Sequence, residues 1–233
     1  LLMGYFAVLR LFMPDFLQQM IPLVQTTAAE YVNGEINIKS LHVSDSLRLA
    51  ADDVSVYDKN GKLVASAPSI TVSFDLLRGI MQADPIKAVS TITVNQPVLY
   101  LQMDEKEHWN VKDVIKQREK EKSKFIGSVI IKEGKSEVST PFGNWSFRVD
   151  GSIDAAASPD YAINFLLTYG KENWKISGLV NTDAKGHLFL KTEHFALDSF
   201  SDLAKRYLGI EELKGSVKDL NLRWSGDGND ISL

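Results

Sequence analysis

The sequence predicts a mainly β protein of mostly antiparallel strands, on two observations. From Gly34 onward, apolar and polar residues take turns in one short segment after another, the period-two pattern of a half-buried strand. Few stretches carry the 3.6-residue spacing of a helix that could cover the apolar sides. Those sides must therefore meet another sheet or an apolar ligand. The 233 residues suffice for one large β domain or two smaller modules.

The first element is the exception. Leu1 to Met13 is almost wholly apolar, broken by Gly4 and Arg10. It is shorter than the roughly 20 residues a spanning helix needs. It reads as the trailing end of a membrane anchor or as a buried or amphipathic terminal helix, and both chain ends look like cuts in a longer polypeptide. Pro14 and Asp15 suit a helix start. Phe16, Leu17, Met20, Leu23, Val24, Ala28 and Tyr31 then recur at helical spacing, with a kink expected at Pro22. Asn33-Gly34 stops the helix, because both residues tolerate the left-handed conformation. An N-terminal helix over 1–33 is the result, its apolar stripe capping a sheet end or lying on a membrane.

The β region reads as a first module over 34–124 and a second over 125–233. In the first, strands surround Ile36 and Ile38, Val54 and Val56, Ile70, Val72 and Phe74, Ile92 and Val94, and Leu99 to Leu101. Asp58 to Gly61 is a turn, with Asn-Gly supplying positive φ. Asp75 to Gly79 reads as a short helical turn and Ala83 to Pro85 as a loop. Gln96-Pro97 marks an edge or a bulge, since proline cannot donate to a ladder. Val111 to Lys124 is a charged helical excursion with a short apolar edge.

The second module resumes at Phe125. Strands surround Val129 and Ile131, Trp145 and Phe147, Ile163 and Phe165, Trp174 and Ile176, and Leu188 and Leu190. Glu133 to Lys135 reads as a turn. Asp198 caps a helix of about three turns that ends at Gly209, and Val217 to Trp224 returns to strand.

Chemistry is conspicuous by its absence. The formal net charge of −4 gives no electrostatic case for nucleic acid. No cysteine is present, which excludes disulfides and thiolate metal sites. His42, His108, His187 and His194 are scattered, without the spacing of a zinc hydrolase. Asp52 and Asp53 are neighbours that would point to opposite faces of a strand. No nucleophile elbow or phosphate loop occurs. The sequence predicts no enzyme, no metal and no cofactor.

Several stretches follow one another in a recognisable order: Val32 to Val43, Leu47 to Lys62, Ala67 to Leu77, Ile92 to Leu101 and Trp109 to Ile115. Within them Gln96-Pro97-Val98-Leu99 leads to an acidic loop at Asp104 to Glu107 and then to Trp109-Asn110-Val111. Phe147 to Asp154 adds a further strand pair. This order resembles the AsmA-like family, and within it the N-terminal region of the translocation and assembly module inner-membrane subunits. The sequence carries only what would be the tail of that family's membrane helix.

The resemblance implies a fold and a function. The fold is an elongated, curved, open β-groove, taco-like, with an N-terminal helix and a few short helices. The function is non-enzymatic phospholipid transport between inner and outer membrane, in a periplasmic protein anchored in the inner membrane. An outer-membrane β-barrel partner would engage a region beyond this sequence. A scaffold or chaperone-like role in outer-membrane protein assembly is the alternative. The groove would be lined by the paired residues named above, Ile36 through Leu190. Alternation alone leaves open that the same residues form an ordinary sandwich core.

Overall fold

The computed structural model describes residues 21, 22, 25, 32–44, 48–75, 88–114, 125–155, 160–181, 185–211 and 213–227. Eleven strands make one sheet. They are β1 (Gly34–Val43), β2 (Leu49–Asp58), β3 (Leu63–Phe74), β4 (Val89–Asn95), β5 (Val98–Gln102), β6 (Ser128–Thr140), β7 (Gly143–Asp154), β8 (Asp160–Tyr169), β9 (Glu172–Asn181), β10 (Lys185–Ala196) and β11 (Ser216–Asp227). Helix α1 (Asn110–Val114) lies between β5 and β6. A 3-10 turn (Asp198–Phe200) and helix α2 (Ser201–Leu208) lie between β10 and β11.

The sheet runs β1-β2-β3-β4-β6-β7-β8-β9-β10-β11, with β5 pairing β3 and β6. Strands β4 and β5 are two collinear pieces of one strand position. Both are antiparallel to β3 and parallel to β6. All other junctions are antiparallel, so two meanders meet at one parallel seam. Among the described residues no second sheet faces this one, and the sandwich alternative is not what they form. The two β modules read from the sequence lie in the same continuous sheet.

The strand break at Gln96-Pro97 belongs to a crease that crosses six strands. Asp53, Gln96 and Glu133 have φ of 48°, 48° and 52°, a left-handed conformation rare outside glycine. The ladders skip the same level in each strand: Lys39 opposite Asp53, Asp53 opposite Pro68, and Gln96 opposite Glu133. At β6 and β7 the register shifts between Ile131 and Gly134, where two residues oppose Asp150. Polar side chains tie the crease together. Lys39 Nζ donates to Asp53 Oδ2 at 2.7 Å, and that carboxylate raises the lysine's pKa. Gln96 Nε2 donates to Glu133 Oε2 at 2.8 Å, and Glu133 N–H to Asp150 Oδ1 at 2.7 Å. A second, shorter crease joins β10 and β11, where the ladder skips Glu193 and Asp219, whose φ is 53°.

Three sequence expectations are corrected by this arrangement. Glu133 to Lys135 is not a turn; β6 passes straight through it as a bulge. Of the edge or bulge expected at Gln96-Pro97, the edge is ruled out by pairing on both sides, while an irregularity is present as the break between β4 and β5. Proline fits there because the break removes the need for its missing donor. Asp198 does not cap α2. Its Oδ1 instead accepts the Gly215 N–H at 2.8 Å, and the helix has no side-chain cap. Gly209 does end α2, at φ 66°.

The Asp58 turn forms, with Gly61 at φ 76° supplying the positive φ alone, Asn60 not sharing it, and Asp58 Oδ1 accepting the N–H groups of Asn60 and Lys62 at 2.8 Å. Of the expected N-terminal helix over 1–33, Ile21, Pro22 and Gln25 are helical, and the rest of 1–31 lies outside the described residues. Val32 and Asn33 are not helical, and neither Asn33 nor Gly34 is in the expected left-handed conformation. Most of the expected turn at Asp75 to Gly79, the loop at Ala83 to Pro85 and the 115–124 part of the charged run also lie outside them.

Candidate apolar binding face

Register decides which side chains share a face, because residues paired across a ladder point to the same side. One level of the sheet reads Leu41, Ala51, Ile70, Val94, Ile131, Gly151, Phe165, Ile176, Leu190 and Leu222, each paired with the next. The next level on the same face reads Val43, Leu49, Val72, Ile92, Val129, Ile153, Ile163, Gly178, Leu188 and Trp224. Both rows are free of charged or hydrogen-bonding side chains except the indole of Trp224. Nine inter-strand steps of about 4.8 Å give each row a run of roughly 43 Å.

Glycine enters the first row for a reason of space. A Cβ on Gly151 would stand 2.4 Å from the Phe165 ring, which lies across the bare backbone.

Below the crease the apolar face continues through different positions. Ile38, Val54 and Ala67 are paired in a row and are 8%, 8% and 5% exposed. One level further, Val56, Ala65, Leu99, Ser136 and Phe147 are paired. The crease shifts the inward phase by one residue, so Ile38 and Leu41, three apart, are both buried in the cluster that holds Val54. Thr192 and Phe195 repeat this step at the second crease. Thr192 is 2% exposed beside Trp174, and Phe195 packs on Trp174 with ring centroids 5.3 Å apart.

All the lining residues expected from the sequence fall on this face, with one exception. The exception is in burial: Phe74 ends β3 beside a register shift and is 42% exposed. Sequence reasoning missed Leu41, Ala51 and Phe195, because the crease breaks the i, i+2 count that selects lining positions. It also passed over Leu99 and Leu101, although their alternation was visible.

The opposite face is polar. Glu35, Asn37, Lys132, Arg148, Asp150, Asn164, Lys175, Lys191 and Arg223 are exposed there. An open concavity of about 820 Å³ on that side is lined by Glu133, Lys135, Ser146, Arg148, Asp150 and Thr168. The hydrophobic exceptions on it include Leu166 and Phe189, the latter with the Arg223 guanidinium 5.5 Å from its ring centroid.

The two ends of the apolar face differ. From β2 to β11 the large side chains of both upper rows, Ile70, Val72, Ile92, Val94, Phe165 and Leu188 among them, are only half-buried, whereas Leu41 at the β1 end is 3% exposed. The lower end is covered. Ile21 packs on the Ile38–Leu41–Val54 cluster, and α1 lies on β2 and β5, with Val114 5% exposed. Across β7 to β10 the cover is aromatic. Trp145, Tyr169, Trp174 and Phe195 surround Phe200 of the 3-10 turn, with centroids at 5.9, 6.4, 5.7 and 5.1 Å. Trp174 and Phe195 are held by Glu172, whose carboxylate accepts from Trp174 Nε1 at 3.1 Å and from the Ala196 N–H at 2.8 Å.

The histidines do not gather. His42 and His194 sit beside single carboxylates, Asp52 and Glu172, and His187 packs on Phe189 seven positions along β10 from His194. Asp52 and Asp53 take different partners: Asp52 accepts from Ser40, and Asp53 from Lys39. Among the described residues no group of three metal-ligating side chains forms, and no helix is long and apolar enough to cross a membrane. Comparison with protein-family models, with curated proteins and with solved structures found no match to this chain.

Proposed function

We propose that this chain is an AsmA-like envelope protein segment that carries phospholipid by sheltering acyl chains on the apolar face of its sheet, as a curved open groove. The single observation that carries the reading is the pair of unbroken apolar rows crossing the whole sheet, half-buried and facing no second sheet among the described residues. A monomeric domain rarely leaves so long an apolar surface without an occupant.

The energetics favour such an occupant. At about 0.8 kcal/mol per methylene, two acyl chains of about 16 carbons cost roughly 25 kcal/mol to expose to water. A continuous apolar wall removes most of that barrier, while the open side leaves a charged headgroup solvated. No bond is made or broken in such a role, so it calls for no catalytic cluster. The role needs no cofactor. In this reading the protein works in the periplasm, tethered to the inner membrane through residues preceding β1, with an outer-membrane β-barrel partner engaged elsewhere on the full-length protein.

The test is direct. The purified chain is analysed for bound lipid by native mass spectrometry, beside Val94→Asp, which sets a carboxylate in the middle of one row. Phospholipid on the wild type and none on a folded Val94→Asp is the expected result. Equal lipid occupancy in the two proteins overturns the reading.

A second reading rests on the sheet edges. Among the described residues, strands β1 and β11 end the sheet order. Such an edge accepts an extended client strand, as a scaffold for barrel assembly would. Crosslinking that captures barrel precursors while no lipid co-purifies favours it.

A further inference from the structure

The geometry points to the loop between β10 and β11 as an end-stop on the acyl surface, with Phe200 as the residue that sets how far a bound tail can reach. This inference rests on the proposed function and adds to it a determinant of reach.

Phe200 is not part of the sheet. It stands on a segment that leaves β10, crosses the apolar face and returns to β11. Its ring lies parallel to that of Trp145, with 6° between planes, and to that of Phe195, with 11°. It thus fills the place over Trp174 that an apolar chain would occupy on continuing down the face from the half-buried rows. A phenyl ring among these aromatics offers an acyl tail the contacts it would otherwise make itself.

The loop is built as a unit. Its neck is closed by Leu197 N–H to Gly215 O at 3.0 Å and by Gly215 N–H to Asp198 Oδ1 at 2.8 Å. Inside, Leu213 N–H donates to Ser201 Oγ at 3.2 Å. At the far end, Arg206 lies 3.8 Å from Glu107 and 5.9 Å from the centroid of Phe142, which spans the gap to the β6–β7 turn. The loop can therefore lift from the aromatic floor without breaking any pair of the β10–β11 ladder. Among the described contacts, Phe200's ring packing, the burial of Ala204 at 5% exposure and an exposed tether at Arg206 resist lifting.

The tryptophans make this testable. Trp224 lies in the half-buried upper row, whereas Trp145 and Trp174 lie under Phe200. The probe is 9,10-dibromostearate, whose bromines quench a tryptophan only on contact. Two backgrounds are compared, Trp109→Phe and Trp109→Phe/Trp224→Phe. The second reports the floor alone, and the difference between them reports Trp224. The expected result is quenching of Trp224 with the floor spared, and a severalfold rise in floor quenching when Phe200→Ala is added.

Floor quenching that is the same with and without Phe200→Ala, while Trp224 is quenched, overturns the end-stop and leaves the lipid reading standing. No quenching at Trp224 overturns the lipid reading and the end-stop with it. Should Phe200→Ala not fold, Phe200→Leu, which removes the aromatic ring but keeps an apolar side chain, is read instead. A rise in floor quenching supports the end-stop and an unchanged floor overturns it.

Discussion

Glu172 is the place where a single side chain holds the most of this site in position, and its removal has a calculable cost. Its carboxylate is 10% exposed and accepts from Trp174 Nε1, at 3.1 Å, and from the Ala196 N–H, at 2.8 Å. Replacing it with alanine strands both donors, at about 1–3 kcal/mol for each buried group left unpaired. His194 Nδ1 lies 3.2 Å away but is 53% exposed, so its pairing adds well under ~1 kcal/mol. Two donors give a range of about 2–6 kcal/mol, and because both bonds are part-buried the loss for Glu172→Ala falls toward its low end, about 2–3 kcal/mol. Glu172→Gln keeps the shape and one acceptor oxygen but turns an NH2 toward one of the donors, and should lose about 1–2 kcal/mol. Urea denaturation followed by tryptophan fluorescence and by circular dichroism measures both. Alanine within ~0.5 kcal/mol of wild type, the range of ordinary surface changes, would refute the reasoning.

Other outcomes follow from the creases and turns. Asp219 is left-handed on an edge strand, so Asp219→Gly should raise stability by about 0.5 kcal/mol, whereas the β-branched Asp219→Val should lower it by about 1–2 kcal/mol; equal midpoints for the two variants would contradict this. Asp58 has its pKa lowered from 3.8, first by the Lys62 N–H that it accepts. A carboxyl depressed in the fold adds stability above its unfolded pKa and loses that share as pH falls through the folded value. Asp58→Asn should therefore flatten the acid limb of the stability profile below pH ~4 and leave the neutral region's slope unchanged. An acid limb identical to wild type counts against it.

Much of the sheet was legible because alternation reports burial directly. Val72, Val94, Ile131, Phe165, Ile176 and Leu190 each sit where period two puts them. Three things were not legible. A left-handed residue inside a strand carries no signal when it is Asp53, Gln96 or Glu133 rather than glycine, so the crease and its phase shift at Leu41 and Ala51 went unseen. Gln96-Pro97 did mark a break, yet proline's statistics favour edges, and only pairing on both sides shows an interior position. The role of Phe200 was hidden for a different reason. Helical spacing groups it with Ala204, but its partners Trp145 and Trp174 are remote in sequence, and no local rule brings them together.

The parallel seam between β4/β5 and β6 has a consequence for how the chain reaches this state. Most antiparallel neighbours are joined by short turns, the exceptions being β3–β4 and the 197–215 loop of β10–β11, so each meander can grow largely hairpin by hairpin. The seam alone requires residues 103–127 to close before its first rung forms, and that closure costs entropy ahead of any reward. The two halves should thus acquire hydrogen-exchange protection independently, with Thr91 to Asn95 and Ser128 to Lys132 the last to slow.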